Sequence, residues 1–160
     1  MRRLVAASGP VDVLVNNAEH CETPDDLESL TAESLERHYR VNAIAPALLI
    51  AEVARRYVSG PPPAVVNVST DAARAFPGQL GYSTSKAALE ALTRATALDL
   101  GPRGIRVNAV APGPVQTRLA PGALDHRAGR PGGGRARAVT PGGLARVPKS
   151  ARKSRAEKTA

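Results

Sequence analysis

Residues 64–86 read AVVNVSTDAARAFPGQLGYSTSK. The opening run, Ala64 to Val68, is apolar, rich in β-branched residues and short, which suits a buried parallel strand that Ser69 ends. Asp71 to Gly81 is expected to be a loop, broken at Pro77-Gly78. From Tyr82 the text carries no proline or glycine until Gly101, so a helix is expected over 82–100, with Gly101 at its C-terminal position. Tyr82 and Lys86 then lie one turn apart on the same helix face. A tyrosine titrates near ~10 and a lysine near ~10.4, so neither transfers protons readily at neutral pH by itself. A fixed ammonium one turn away is expected to favour the phenolate and lower the Tyr82 pKa. The Ser69 hydroxyl, at the end of its strand, can reach a substrate oxygen beside the phenol.

Strands of the same kind lie on either side. Val11 to Val15 reads as a strand that Asn16-Asn17-Ala18 leaves at its carboxyl end. In an open α/β sheet ligands bind at that edge. His20 to Leu30 is acidic and loop-like, and Thr31 is an expected helix N-cap with Glu33 in the first turn. The helix that follows is expected from Ala32 to about Val58. It contains Pro46, which has no amide hydrogen and so frees the main-chain carbonyl of Asn42 and should kink the helix there. A freed carbonyl beside an asparagine side chain suits a bound water; a kink with no function is the alternative. Gly60-Pro61-Pro62-Pro63 separates this helix from the central strand. Ile105 to Val110 is a third strand, and Ala111-Pro112-Gly113-Pro114-Val115-Gln116-Thr117 leaves it at the same edge. Strand–helix–strand–helix–strand defines the fold class as α/β with a parallel sheet, part of a Rossmann-like, doubly wound arrangement.

Composition divides the chain in two. Residues 1–120 hold 12 basic and 12 acidic residues, whereas 121–160 hold 10 basic and 2 acidic, so the tail carries the whole net charge of +8. Seven of the 14 glycines also lie in the tail, and disorder is expected there. The expected domains are therefore 1–120, folded, and 121–160, a basic tail. Such a tail attracts phosphate. It has neither interleaved aromatics nor zinc-finger spacing, and a solvated tail is the preferred reading over nucleic-acid binding. Cys21 is the only cysteine, which rules out an internal disulfide and points to a reducing, cytoplasmic setting. No apolar run approaches the ~20 residues of a spanning helix, so no membrane partner is expected. His20-Cys21-Glu22 is too compact and isolated to be read as a zinc site, and no metal is expected. Asp25-Asp26 reads as a solvated loop pair.

Together, Asn16-Asn17-Ala18, Asn42, Ser69 with Tyr82-Ser83-Thr84-Ser85-Lys86, and Pro112-Gly113 resemble the short-chain dehydrogenase/reductase family, from about Val5 to Thr117. The resemblance implies an oxidoreductase that moves a hydride between an alcohol and a carbonyl with NAD or NADP. It makes Tyr82 the general acid/base and Lys86 the residue that lowers its pKa and binds the nicotinamide ribose. Ser69 would orient the substrate oxygen, with Thr70 a weaker candidate because the serine spacing fits better. Asn42 would hold a proton-relay water. Asn16 and Ala18 would line the cofactor cleft, and Pro112, Gly113, Val115 and Thr117 would approach the carboxamide. The two helices would form a homo-oligomer interface.

The departures from the family pattern define the alternative. The Gly-rich turn of type TGxxxGxG is not in the sequence, and Glu19 stands where the family continues Asn-Asn-Ala with glycine. A negative side chain there is expected to crowd the cleft. Two crossovers advancing in one direction place both helices on one face of the sheet, leaving the other face bare. A catalytically silent fragment is thus the alternative to an active enzyme.

Overall fold

The computed structural model describes residues 9–113 and the backbone of residues 137–139. Strands β1 (Val13–Asn16), β2 (Ala64–Val68), β3 (Arg106–Ala111) and β4 (Arg137–Val139) form one sheet in the order β1-β2-β3-β4. The first three are parallel, with Val13 opposite Ala64 and Ala64 opposite Arg106. The fourth is antiparallel, pairing Ala138 with Val110, so the sheet is mixed at this end. The expected α/β order is thus observed, and of the 121–160 tail only this strand lies within the described residues.

The connection from β1 to β2 is one helical run with a wider turn inside it: α1 (Ala32–Tyr39), a π-turn over Arg40–Ile44, and α2 (Ala45–Arg56). Thr31 caps α1, its side chain accepting from the Ser34 amide. The expected kink at Pro46 takes the form of this π-turn. The Ala45 amide reaches back five residues to the Arg40 carbonyl, and Pro46 offers no amide to resume the α pattern. Helix α3 (Leu80–Leu100) starts two residues earlier than the sequence indicated. Its amino end is satisfied by an aspartate from a distant loop, described below, and not by Gln79, which makes no side-chain cap bond.

Both helical runs pack on one face. Ile50 and Ala54 of α2 meet Val65, Ile105 and Val107, with Leu92, Ala97 and Leu100 of α3 closing the cluster. Full burial of each such aliphatic side chain contributes roughly 1.5–3 kcal/mol. The same face carries a polar ladder deeper along the sheet. Asn16 Nδ2 donates to Asn67 Oδ1 at 2.7 Å, and Asn67 Nδ2 donates to Thr93 Oγ1 at 2.8 Å. Every member is buried and partnered, so this ladder fixes the strand register against α3. The opposite face is open among the described residues: Val13 and Val15 are 58% and 56% exposed, and Val110 also faces outward. This is the bare face expected from two same-handed crossovers.

Candidate active site

The carboxyl ends of β1, β2 and β3 lie side by side, and the loops leaving them converge. The Ser69 amide donates to the Val110 carbonyl at 2.7 Å, and the Asp71 amide donates to the Pro112 carbonyl. Above this edge, α3 presents Tyr82 and Lys86 from successive turns. Lys86 is 1% exposed; its Nζ donates to the Val68 carbonyl at 2.9 Å and lies 5.7 Å from the centre of the Tyr82 ring. The two residues are thus brought together as the spacing indicated.

Glu19 completes the group. Tyr82 Oη donates to Glu19 Oε2 at 2.9 Å, and the same oxygen lies 3.5 Å from Lys86 Nζ. This overturns the expected titration of Tyr82. Burial, and then the Glu19 carboxylate, push the phenol well above its ordinary value, against a smaller lowering from the Thr70 hydroxyl. The Lys86 pKa falls, because burial of the ammonium outweighs its attraction to a carboxylate that is itself 54% exposed and well hydrated. Without a further group in the cleft, Lys86 does not make a phenolate of Tyr82.

Ser69 has a partner of its own. It follows Val65 and Asn67 on the helix-facing side of the strand, is buried, and its Oγ donates to Glu90 Oε1 at 2.9 Å. The next residue, Thr70, accepts from the Ala72 amide through Oγ1, and its hydroxyl acts to lower the Tyr82 pKa. A count of positions back from the tyrosine selects Ser69, because it cannot register the path of the short 3-10 turn Asp71–Arg74. The Asn16 side chain is engaged in the ladder with Asn67. Ala18 and Pro112 lie exposed at the sheet edge with Gly113 half-buried, whereas Val115 and Thr117 lie outside the described residues.

Asn42 is buried between the loop and the catalytic helix. Its Oδ1 accepts from the His20 amide at 2.8 Å, and its Nδ2 donates to the His20 carbonyl at 2.8 Å and to Ser85 Oγ at 2.9 Å. With both amide hydrogens and the oxygen engaged, this side chain clamps loop to helix and has no donor left for a water.

Asp25, read from the sequence as a solvated loop residue, is buried at the amino end of α3. Its two carboxylate oxygens accept from the Gly81 amide at 2.8 Å and the Tyr82 amide at 2.9 Å, while its carbonyl accepts from the Leu80 amide. A carboxylate at a helix N-terminus satisfies orphan amides and meets the positive end of the dipole. His38 packs against the same point, its Nε2 3.8 Å from Asp25 Oδ2. Gly81 makes room for both: a Cβ there would lie 2.9 Å from His38 Nδ1 and 3.1 Å from Asp25 Oδ1. One sequence signal was available. Ser34, His38 and Asn42 recur every fourth residue, and all are buried. A polar stripe at helical spacing marks a helix face turned towards a polar interior.

Known proteins carry the same architecture. A family model described as enoyl-(acyl carrier protein) reductase matches residues 1–140. Human L-xylulose reductase is 42% identical over 119 residues, which cover 73% of this chain and 48% of that protein. Glucose and ribitol dehydrogenase of Daucus carota is 37% identical over 126 residues, covering 77% of this chain and 42% of that protein. Among solved structures, a mutant 4-hydroxyisoleucine dehydrogenase complexed with NADH and succinate superposes with a TM-score of 0.70 at 30% identity, covering 79% of this chain and 53% of that one. An angucycline C-6 ketoreductase with bound NADP gives a TM-score of 0.63 at 35% identity, covering 74% and 47%. The chain spans about half the length of these relatives. Together with the Tyr82–Lys86 pair at the carboxyl edge of a parallel sheet, these matches show that the chain belongs to the short-chain dehydrogenase/reductase family.

Proposed function

We propose that this chain supplies the catalytic half of an NAD(P)-dependent oxidoreductase that interconverts an alcohol and a carbonyl. The observation that carries the reading is the convergence of Tyr82 Oη and Lys86 Nζ on a single oxygen, Glu19 Oε2. A donor pair that holds one oxygen in this way also suits a sugar hydroxyl. Glu19, half-exposed, can rotate aside without unpacking the core. Bound at this edge, the nicotinamide would supply or take up the hydride. Tyr82 gives its proton to a carbonyl oxygen, or takes one from an alcohol, at Oη. Its raised pKa leaves it protonated at neutral pH but a weak acid, so release of the Glu19 carboxylate from the phenol precedes proton transfer. Thr70, whose hydroxyl acts to lower the phenol pKa, orients the substrate oxygen. Lys86 holds the ribose side, and Ala18 and Pro112 with Gly113 form the walls. The Asn42 carbonyl holds a water.

A second copy is the proposed partner, alongside the small alcohol or carbonyl substrate. A groove of about 720 Å³ runs along the outer side of α1 and α3, lined by Leu30, Leu35, Tyr39, Ile44 and Leu80. Leu48 stands exposed on α2, the continuation of the same helical run. Among the described residues no helix is long and apolar enough to cross a membrane. The single cysteine supports a cytoplasmic setting.

The test is a titration of the purified chain with NADH and NADPH, following nicotinamide fluorescence. Saturable binding that Lys86→Ala weakens is the expected result. No binding at millimolar cofactor would overturn the reading for this chain. The catalytically silent alternative, favoured by the Glu19 carboxylate on Tyr82 and the bare sheet face, would then stand.

A further inference from the structure

We propose that His20, Glu22 and His38 form a binding site for one divalent transition-metal ion of the zinc class. One donor atom from each side chain lies within 4.8 Å of the others. Tetrahedral zinc needs closer spacing, with metal–ligand distances of about 2.0–2.2 Å. A small shift of the loop that carries His20 and Glu22, with one Arg37 contact of Glu22 given up to the ion, supplies the difference. Two imidazoles and one carboxylate suit zinc, cobalt or nickel, whereas magnesium and calcium prefer all-oxygen sets. Position 38 was out of reach of any local reading of His20-Cys21-Glu22; the packing of α1 beneath the loop brings it in.

The surroundings are those of a prepared ligand set. His38 is fully buried, and its Nδ1 hydrogen goes to the Ser34 carbonyl at 2.9 Å. That bond fixes the tautomer and leaves the Nε2 lone pair facing the cluster, where its one hydrogen-bond donor is the Glu22 amide at 3.3 Å. A ligand histidine is commonly oriented in this way through its other nitrogen. Glu22 is held by Ser34 Oγ at 2.8 Å and by both Arg37 donors, through Nε and Nη2. His20 Nε2 lies 2.7 Å from Glu22 Oε1, so an ion would take the place of the hydrogen between them, the ring keeping its proton on Nδ1. Three protein ligands leave a fourth position for water.

The location gives such a site a consequence. The main chain of His20 is bolted to Asn42 in both directions, and its neighbour Glu19 contacts Tyr82. An ion joining the loop to α1 would hold this segment in one conformation and stabilise the folded chain.

Titration of the full chain with Co²⁺, read by visible absorption, and with Zn²⁺, read by calorimetry, tests the proposal. One ion per chain and a rise in melting temperature with Zn²⁺ are expected. His20→Ala and Glu22→Gln, confirmed as folded by circular dichroism, should each weaken binding by at least about tenfold. His126→Ala, which changes the third histidine, should leave it unaltered. The absence of one-to-one binding, equal binding by His20→Ala and wild type, or loss of binding in His126→Ala would each overturn the site.

Discussion

Replacing Asp25 by alanine should destabilise the fold more than any change on the exposed loop around it. The carboxylate accepts two buried main-chain hydrogens, those of Gly81 and Tyr82, at 2.8 and 2.9 Å. A hydrogen bond to a charged group contributes roughly 1.5–3 kcal/mol, and contributions within one group are not additive. The Leu80 amide keeps its bond, because that acceptor is the Asp25 main-chain carbonyl. A net loss of about 3 kcal/mol is therefore expected, large beside the ~5–15 kcal/mol of a typical domain. For a domain of this size it lowers the melting temperature by more than about 10 °C. Asp25→Asn keeps one acceptor but turns an NH₂ towards the other amide, so it should fall between alanine and wild type. Urea denaturation followed by circular dichroism gives the energies. Native-state hydrogen exchange gives a local readout, since the Gly81 and Tyr82 amides should exchange faster in Asp25→Ala. A midpoint shift equivalent to less than about 0.5 kcal/mol, with both amides still protected, would refute the capping argument.

Three further outcomes follow from named contacts. Gly81→Ala ordinarily gains up to about 1 kcal/mol in a helix; here the added Cβ would press on buried His38 and Asp25, and overpacking of about 1–3 kcal/mol should win, giving a lower urea midpoint. In an alkaline titration followed by tyrosinate absorbance, Tyr82, identified by its loss in Tyr82→Phe, should ionise above the ordinary value, and Glu19→Gln should bring it down. The raised pKa means that the associated stability is intact below about pH 10, the unfolded value, and declines as pH rises from there towards the folded pKa; identical alkaline limbs in wild type and Glu19→Gln would contradict the Glu19 assignment. If cofactor-dependent turnover is measured, Thr70→Val should lower it by more than about tenfold, whereas Ser69→Ala should act mainly on stability through the Glu90 bond.

The three parallel strands and the helices were legible because their signals are local, whereas the short edge strand Arg137–Val139 lies in a stretch whose composition predicts disorder. The Val-rich runs at 13–16, 64–68 and 106–111 and the unbroken helical text after Gly81 needed no knowledge of what they pack against. The Tyr82–Lys86 pair was legible for the same reason, since helix geometry alone sets it. What was lost depends on contacts across long separations. Asp25 reaches amides 56 and 57 residues away, and nothing in Thr-Pro-Asp-Asp distinguishes the buried aspartate from the exposed one. The spacing to Tyr82 favours Ser69 over Thr70, but a count of residues carries no information about the Glu90 carboxylate that engages the Ser69 hydroxyl. The resemblance implies a place for Asn16 beside the cofactor, and nothing local to Val-Leu-Val-Asn announces that its side chain bonds Asn67 on the covered face. The Tyr82 titration was misjudged because the ammonium was weighed and burial was not.

Among the described residues, Tyr82 and Lys86 are supported by segments of this half of the family's fold, and this separates the geometry of the candidate site from its ability to bind cofactor. The segment 17–25 touches each part of it: Glu19 reaches Tyr82, His20 is clamped by Asn42, Glu22 is fixed to α1 through Ser34 and Arg37, and Asp25 caps α3. Lys86 is anchored from below by the Val68 carbonyl. These bonds lie on the covered face or at the sheet edge, so the exposed Val13 and Val15 on the far side do not enter them. Stabilising that far face, by a partner or by polar substitution of Val13 and Val15, should therefore raise the urea midpoint without moving the alkaline titration of Tyr82. A change in that titration on substituting Val15 would show that the sheet and the site are coupled, and would remove the ground for treating loop 17–25 as the element that holds the catalytic helix in place.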